Sequence, residues 1–432
     1  MKKILPVLVA VLLAACSSSK EPPLQGKRID ILPESQALQP DAGLEHVPLG
    51  IPGALDVENW PQAGGNSANV LQHVHLPEKV VKVWRRNIGR GVSDDSQLMN
   101  PPVVNSGKVF AIDTRSTVTA INLENGREVW DTSLPVEEKE LRNMPGGVAA
   151  DGDKVFATTG SGEVFALNSE NGDVVWRYNV QSPVRAAPVV YNDQLYVVTY
   201  DNRLFSLSTE NGNLLWTHSG IQEALSLMGT AFPAIAEGMV AVPYSSGEVY
   251  VLQAADGRYL WHDALSINVG ADLLSSLVDV DAAPVIAANI MYAVNHNGML
   301  TAFDMVSGQR LWGRELSATQ MPWVAGNGIF IITDNGNLVC LNRSNGYIRW
   351  VTDLNDNLPK TDEKRMWNGP VLAGNRLIAA SDDGFALSVG PYTGKVLSMV
   401  RLPEGVNTAP VVAEDKILFL TNDAEVVAFG AK

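Results

Sequence analysis

The sequence predicts an all-β protein, an eight-bladed β-propeller of four-stranded antiparallel blades, its ring closed by an N-terminal strand that completes the C-terminal blade. Three observations carry that expectation: a Gly-x-x-x-Trp repeat, a second pattern interleaved with it, and the way the first and last copies complement each other.

The repeat is a strand of alternating apolar residues, a polar turn ending in Gly, three residues, and a Trp. It runs VTAINLENGREVW at 118–130, VFALNSENGDVVW at 164–176, LFSLSTENGNLLW at 204–216 and VYVLQAADGRYLW at 249–261. LTAFDMVSGQRLW at 300–312 and LVCLNRSNGYIRW at 338–350 follow, and a seventh copy at 385–398 has Ser398 where Trp is expected. Asn-Gly and Asp-Gly between alternating apolar runs signal hairpins, because these residues tolerate positive φ in a tight turn. The second pattern is a Pro or Gly followed by a short apolar strand, from Pro102-Val103-Val104 through Gly147-Val148-Ala149 and Pro188-Val189-Val190 to Pro410-Val411-Val412. Together the two patterns give four short strands per unit and essentially no helix.

Trp84 matches the end of the repeat, and from Trp84 to Ser398 the seven steps average about 45 residues, the size of a propeller blade. The Trp84 strand lacks three strands before it, and the copy ending at Phe429 lacks the Trp strand. The two fragments make one shared blade, the eighth, and such closure leaves no open sheet edge. The Trp of each last strand is expected to pack on the neighbouring blade. An aromatic sugar platform is the alternative, and the constant spacing argues against it. Trp60, Trp323 and Trp367 fall outside the frame.

At 432 residues, length alone suggests about three domains; the repeat assigns one, over residues 60–432. Hydrophobic residues at 46% and charged residues at 18% exclude a disordered chain. The 32 basic and 47 acidic residues give a formal charge of −15, which makes the chain a poor candidate for a nucleic-acid binder, since phosphate neutralisation needs a basic face. Two cysteines exclude a disulfide scaffold and a cysteine-rich metal site.

Residues 1–15 read as a signal peptide: Lys2 and Lys3, then an apolar run from Ile4 to Leu13 that is too short to span a bilayer. The run ends Leu13-Ala14-Ala15-Cys16, which resembles the bacterial lipobox and implies cleavage before Cys16 and lipidation of it. The other reading is a plain secretory signal with a chance cysteine. Ser17 is the permissive residue for sorting to the outer membrane. Residues 16–59 read as the lipidated cysteine and a tether, with one apolar patch at 27–33. Cys340 is then without an intramolecular partner and is expected as a small buried residue rather than a reactive thiol.

The repeat resembles the tryptophan-docking repeats of pyrroloquinoline-quinone (PQQ) dehydrogenases, and Trp60-Pro61-Gln62-Ala63-Gly64-Gly65-Asn66 resembles the entry segment of that superfamily. With a lipobox and eight blades, the chain looks most like the BamB family, lipoproteins of the outer-membrane β-barrel assembly machinery. The resemblance implies a non-catalytic scaffold, lipid-anchored on the periplasmic face of the outer membrane. It implies a BamA-type barrel-forming subunit and outer-membrane protein clients as partners. It also implies two partner-facing loops, one with Leu225, Leu227 and Met228, the other with Asp279 and Asp281. The family loop usually carries Arg where Met228 stands.

The competing class is a PQQ-dependent periplasmic oxidoreductase or cofactor-binding propeller. The vicinal cysteine pair of many such enzymes is absent. His73-Val74-His75 has the spacing to put two imidazoles on one strand face, but no third ligand accompanies them in sequence. No serine-hydrolase, phosphate-loop or zinc-protease motif is present. No catalytic residue, cofactor or metal is therefore expected.

Overall fold

In a computed structural model, the described residues are 38–44, 47–136, 145–221, 231–265, 282–296, 298–356, 358–361 and 364–431. They form eight separate four-stranded antiparallel sheets, the blades of a propeller. Blades 1–7 occupy residues 103–133, 148–179, 189–219, 234–264, 285–315, 323–353 and 367–401. Within each, the strands pair in chain order from an inner strand, three or four residues long in blades 1–6 and seven in blade 7, to an outer one. Blade 8 takes three strands from residues 411–430, and its outer strand is Val81–Asn87, paired antiparallel to Glu425–Gly430. The shared blade expected from the repeat is present.

The tryptophans dock as expected. Trp84, Trp130, Trp176, Trp216, Trp261, Trp312 and Trp350 each donate an indole N–H to a backbone carbonyl of the next blade, at 2.9–3.1 Å. Each ring lies on the repeat glycine of that blade: Gly126, Gly172, Gly212, Gly257, Gly308, Gly346 and Gly394. A Cβ at any of the seven would sit within 2.8 Å of the indole. The glycine also ends the turn at positive φ, from 69° to 76°. The Asn or Asp before it does not share that conformation; Asn125 instead accepts the Arg127 N–H. A β-bulge at the residue preceding the Trp position recurs in every blade, as where Ala120 faces Trp130 but Ile121 faces Glu128. Such a bulge re-aims the following side chain, here toward the neighbouring blade.

A second element binds the ring from within. Residues 55–77 form a strap that meets the innermost part of all eight blades in turn. Val57 C=O accepts from Glu414 of blade 8, Trp60 exchanges two backbone bonds with Val104 of blade 1, and Pro61 C=O accepts from Ala150 of blade 2. The Gln62 side chain both donates to and accepts from Val190 of blade 3. Ser67 and Ala68 accept from Ile235 and Ile286 of blades 4 and 5, and Asn69 donates to Pro233 and Pro284 of the same two blades. Gln72 accepts from the Trp323 indole of blade 6, and Val74 bonds Leu372 and Gly374 of blade 7. The free edges of the inner strands, costly if left buried and unpaired, are satisfied by this segment.

The residues before the strap are also held. Asp41 bonds the backbone of Ile348 through both its N–H and its carboxylate, and pairs with Arg314. Leu49 is 2% exposed, and its carbonyl accepts from Asn327. By composition these residues read as tether; polar residues with buried anchors every few positions give no periodic signal. Cys16 and the 27–33 patch lie outside the described residues. Trp60, Trp323 and Trp367 are buried and structural: Trp60 stacks on Trp323 at 6.1 Å, and Trp367 donates to Asn355. Cys340 is fully buried, and burial pushes its thiol well above the ordinary range.

The docking joint makes a sharp prediction. Gly212→Ala forces an L-residue to φ near 74° and drives its Cβ into Trp176. The backbone conformation alone costs about 1–2 kcal/mol, and the clash adds to it. In a Trp176→Ala background the clash disappears while the backbone cost stays. A double-mutant cycle by urea denaturation is expected to show a smaller effect of Gly212→Ala in that background; additive effects would mean that the two residues do not share a joint.

Candidate functional site

Leu225, Leu227 and Met228, and Asp279 and Asp281, lie outside the described residues. The structure does describe the roots of the two segments that carry them. The first follows the outer strand of blade 3, Leu214–Ser219; the second follows the outer strand of blade 4, Tyr259–Ala264. Pairing of Arg203 with Ser219 and of Glu248 with Ala264 puts both roots on the rim that also carries the Thr199–Arg203 and Tyr244–Glu248 turns.

That rim holds a cluster of rings that spans two blades. Tyr250 has the His218 ring 4.9 Å away and tilted, and the His262 ring 4.9 Å away and stacked. His218 Nδ1 is 2.9 Å from the Tyr244 hydroxyl, and His262 Nδ1 is 2.9 Å from the Tyr259 hydroxyl. Tyr244 is buried, and burial pushes its hydroxyl far above the usual range; burial holds the His218 imidazole below its own. Tyr259 and Ile221 are exposed. In the sequence these histidines stand scattered. Their proximity follows from strand register, since Tyr250 faces His262 across the sheet, and pairing the two strands through the Asp256-Gly257 turn is the signal that leads to it.

Two further groups brace the roots. Asn202, 3% exposed, donates to Ile221 C=O at 2.6 Å while its oxygen accepts from the backbone and side chain of Ser245. It thereby ties the start of the first segment to blade 4. Arg310 of blade 5 grips Asp263 through both Nε and an Nη, and reaches Ala264 C=O. The hydrogen bonds that Arg310 donates to the Asp263 carboxylate raise its pKa further. The result is a braced cluster of rings at the base of both segments, with Ile221 and Tyr259 exposed beside it.

The two strap histidines do not form a pair. His73 is buried, with Nδ1 2.8 Å from Pro52 C=O and Nε2 accepting the Asn375 N–H. His75 turns outward to blade 8, where Asp415 meets it. In two clefts among the described residues, a quinone fits poorly. One described cleft of about 450 Å³ is lined by residues such as Asn87, Arg90 and Asp423, and another of about 250 Å³ by residues such as Glu237, Asn289 and Arg343. Neither lining includes an aromatic ring for a flat cofactor to stack on. Arg343, the cation of the second, is already bonded to the Tyr292 hydroxyl and to two backbone carbonyls.

The His218 environment sets a pH expectation. Its folded-state pKa is lowered from 6.5 by burial, so the unfolded chain takes up the proton first. The stability carried by neutral His218 is present above the ordinary imidazole pKa and is lost as pH falls toward the folded value. Thermal melts at falling pH are expected to show a steeper decline for the wild type than for His218→Phe. An imidazole titrating above the ordinary value in an NMR titration would contradict the burial argument.

Comparison with known proteins was consistent with this architecture. Residues 114–352 match the family model described as outer membrane protein assembly factor BamB. The Yersinia pestis protein of that name is 30% identical over 356 residues, 81% of this chain and 88% of the relative. Among solved structures, BamB from Moraxella catarrhalis superposes with a TM-score of 0.68 at 21% identity, covering 82% of this chain and all of that one. Quinohemoprotein alcohol dehydrogenase from Comamonas testosteroni does so at 0.67 and 13% identity, covering 87% of this chain and 81% of the enzyme; that likeness shows the fold alone. With more than half its length matched by the family model and a relative at 30% identity over most of both chains, this chain belongs to the BamB family of outer membrane protein assembly factors.

Proposed function

We propose that this chain is a non-catalytic scaffold that helps fold and insert outer-membrane β-barrel proteins. It is anchored through lipidated Cys16 to the periplasmic face of the outer membrane, and it holds a BamA-type barrel-forming subunit. The observation that carries the reading is the match to relatives named for outer-membrane protein assembly over about four-fifths of the chain. The geometry adds a rigid rim at blades 3–5, where the roots of two neighbouring segments are braced by Asn202 and Arg310. On this reading Leu225 and Leu227 supply apolar contact area, and Asp279 and Asp281 orient the partner by charge. Clients pass as extended segments and meet the ring's outer strands by strand addition.

Affinity purification from solubilised membranes, with identification of the co-purifying chains, tests the assignment. Hot-spot truncations cost about 2 kcal/mol or more, which corresponds to at least about a tenfold loss of affinity. Ala at both leucines with charge reversal at both aspartates is expected to cut recovery of the barrel-forming subunit by that factor, with the β-sheet circular-dichroism signal intact. Full recovery by a folded quadruple variant would remove the docking surface from these loops, and Met228 would be examined next.

Cys16→Ser is expected to shift the protein out of the membrane fraction, since stable anchoring takes more than one acyl chain on the protein. Unchanged fractionation would show that something other than the lipid holds it. Dye reduction on addition of PQQ and calcium would favour the oxidoreductase class instead.

A further inference from the structure

We propose that Asp56, His75 and Asp415 bind one first-row divalent cation, of the zinc type, which clasps the two ends of the strap to blade 8. His75 Nδ1 lies 2.8 Å from Asp415 Oδ1 and 3.4 Å from Asp56 Oδ1, and the three ligand atoms lie within 4.8 Å of one another. An ion with metal–ligand bonds of about 2.0–2.2 Å holds neighbouring ligand atoms roughly 2.8–3.6 Å apart, depending on whether it is octahedral or tetrahedral. Both distances from the imidazole fall in that window. The exposed Asp56 carboxylate has freedom to close the third edge. One imidazole nitrogen with two carboxylates suits zinc, cobalt, nickel or manganese. Calcium and magnesium prefer all-oxygen sites, and copper(I) prefers sulfur.

The ligands are pre-positioned by backbone. The His75 N–H donates to Leu55 C=O, the Leu55 N–H donates to His73 C=O, and the Glu414 N–H donates to Val57 C=O. Each ligand therefore sits next to a residue already locked to the others' segment. Little ordering is left for the metal to impose, the condition under which a small ligand set binds well. Two carboxylates carry negative charge that a dication offsets, on a chain whose formal charge is −15.

The location gives the site a purpose. Seven of the eight blade joints carry an indole on a glycine; the joint between blades 7 and 8 carries Ser398 instead. The strap begins on blade 8 at Val57 and ends on blade 7 at Val74, and its ends pair with each other through Leu55 and Val74 at that same joint. Asp56 and His75 come from the two ends, and Asp415 from blade 8. A bound cation crosslinks all three where the tryptophan contact is missing.

The test is titration of the tag-free mature chain with Co²⁺, followed by visible absorption, with Zn²⁺ as competitor and calorimetric melting in parallel. One saturable Co²⁺ per chain is expected, displaced by Zn²⁺, with Zn²⁺ raising the melting temperature. His75→Gln and Asp415→Asn are each expected to weaken binding at least about tenfold and to abolish the Zn²⁺-dependent rise. Asp56→Asn alters an exposed side chain and serves as the variant in which misfolding is not an explanation. Co²⁺ uptake that does not saturate, or uptake and melting shifts unchanged in all three variants, overturns the proposal.

Discussion

An indole lying on a glycine holds each blade to the next, and most of the architecture follows from what that contact demands. The glycine has to lack a Cβ and sit at positive φ, so it ends the turn between the third and fourth strands. The indole has to leave its own sheet and reach across, which the bulge before it arranges. Both halves of the joint lie within one repeat, four residues apart, yet they serve opposite neighbours: the glycine receives from the blade before and the tryptophan gives to the blade after. A single repeated segment therefore generates a ring, because every copy offers what the next one needs.

The same logic identifies where the ring is weakest. In blade 8 the third and fourth strands come from distant parts of the chain, Glu425–Gly430 and Val81–Asn87, so no short turn joins them and no docking glycine is presented. A tryptophan at Ser398 would have nothing to lie on. The outer strand of blade 7 is correspondingly exposed along its whole length, Val396, Leu397, Met399 and Val400 included. Closure at this joint passes to other bonds, those of the shared sheet and those of the strap. The strap holds the ring through hydrogen bonds, each worth about 1 kcal/mol net, distributed over all eight blades. Opening any one joint has to break the strap contacts of at least one of the two blades it joins.

The ring is legible in the sequence and the strap is not, for one physical reason. The Gly126–Trp130 spacing and its later copies are fixed by a repeated joint, and repetition is what a single sequence displays best. Gln62, Ser67, Ala68 and Asn69 each meet a different blade at a different angle, so nothing about them recurs. The Trp60-Pro61-Gln62 segment stands out by its resemblance to other propellers, and no period in the chain points to it. Likewise Ser398 is visible as a departure, but its cause, the absent glycine of blade 8, needs the pairing of Val81–Asn87. The His218–Tyr250–His262 cluster depends on strand register and on contact between neighbouring blades, neither of which periodicity supplies. Asp415 lies 340 residues from His75, and only ring closure brings them together.

Blade 4 stands opposite blade 8 in a ring of eight, so the braced rim and the closing joint are as far apart as the architecture allows. A partner gripping the rim at blades 3–5 pulls on joints that all have an indole seated: Trp176 on blade 3, Trp216 on blade 4 and Trp261 on blade 5. Its load reaches the blade 7–8 joint only through the strap and the remaining blades. Asn202 ties the first loop root to blade 4, and Arg310 ties the second loop root to blade 5, so the roots keep the spacing of the blades. A scaffold has to keep its contact points at constant spacing while its partner moves. Here that spacing is set by three consecutive blades bound through indole-on-glycine joints, and the joint that lacks one is placed where no docking is proposed.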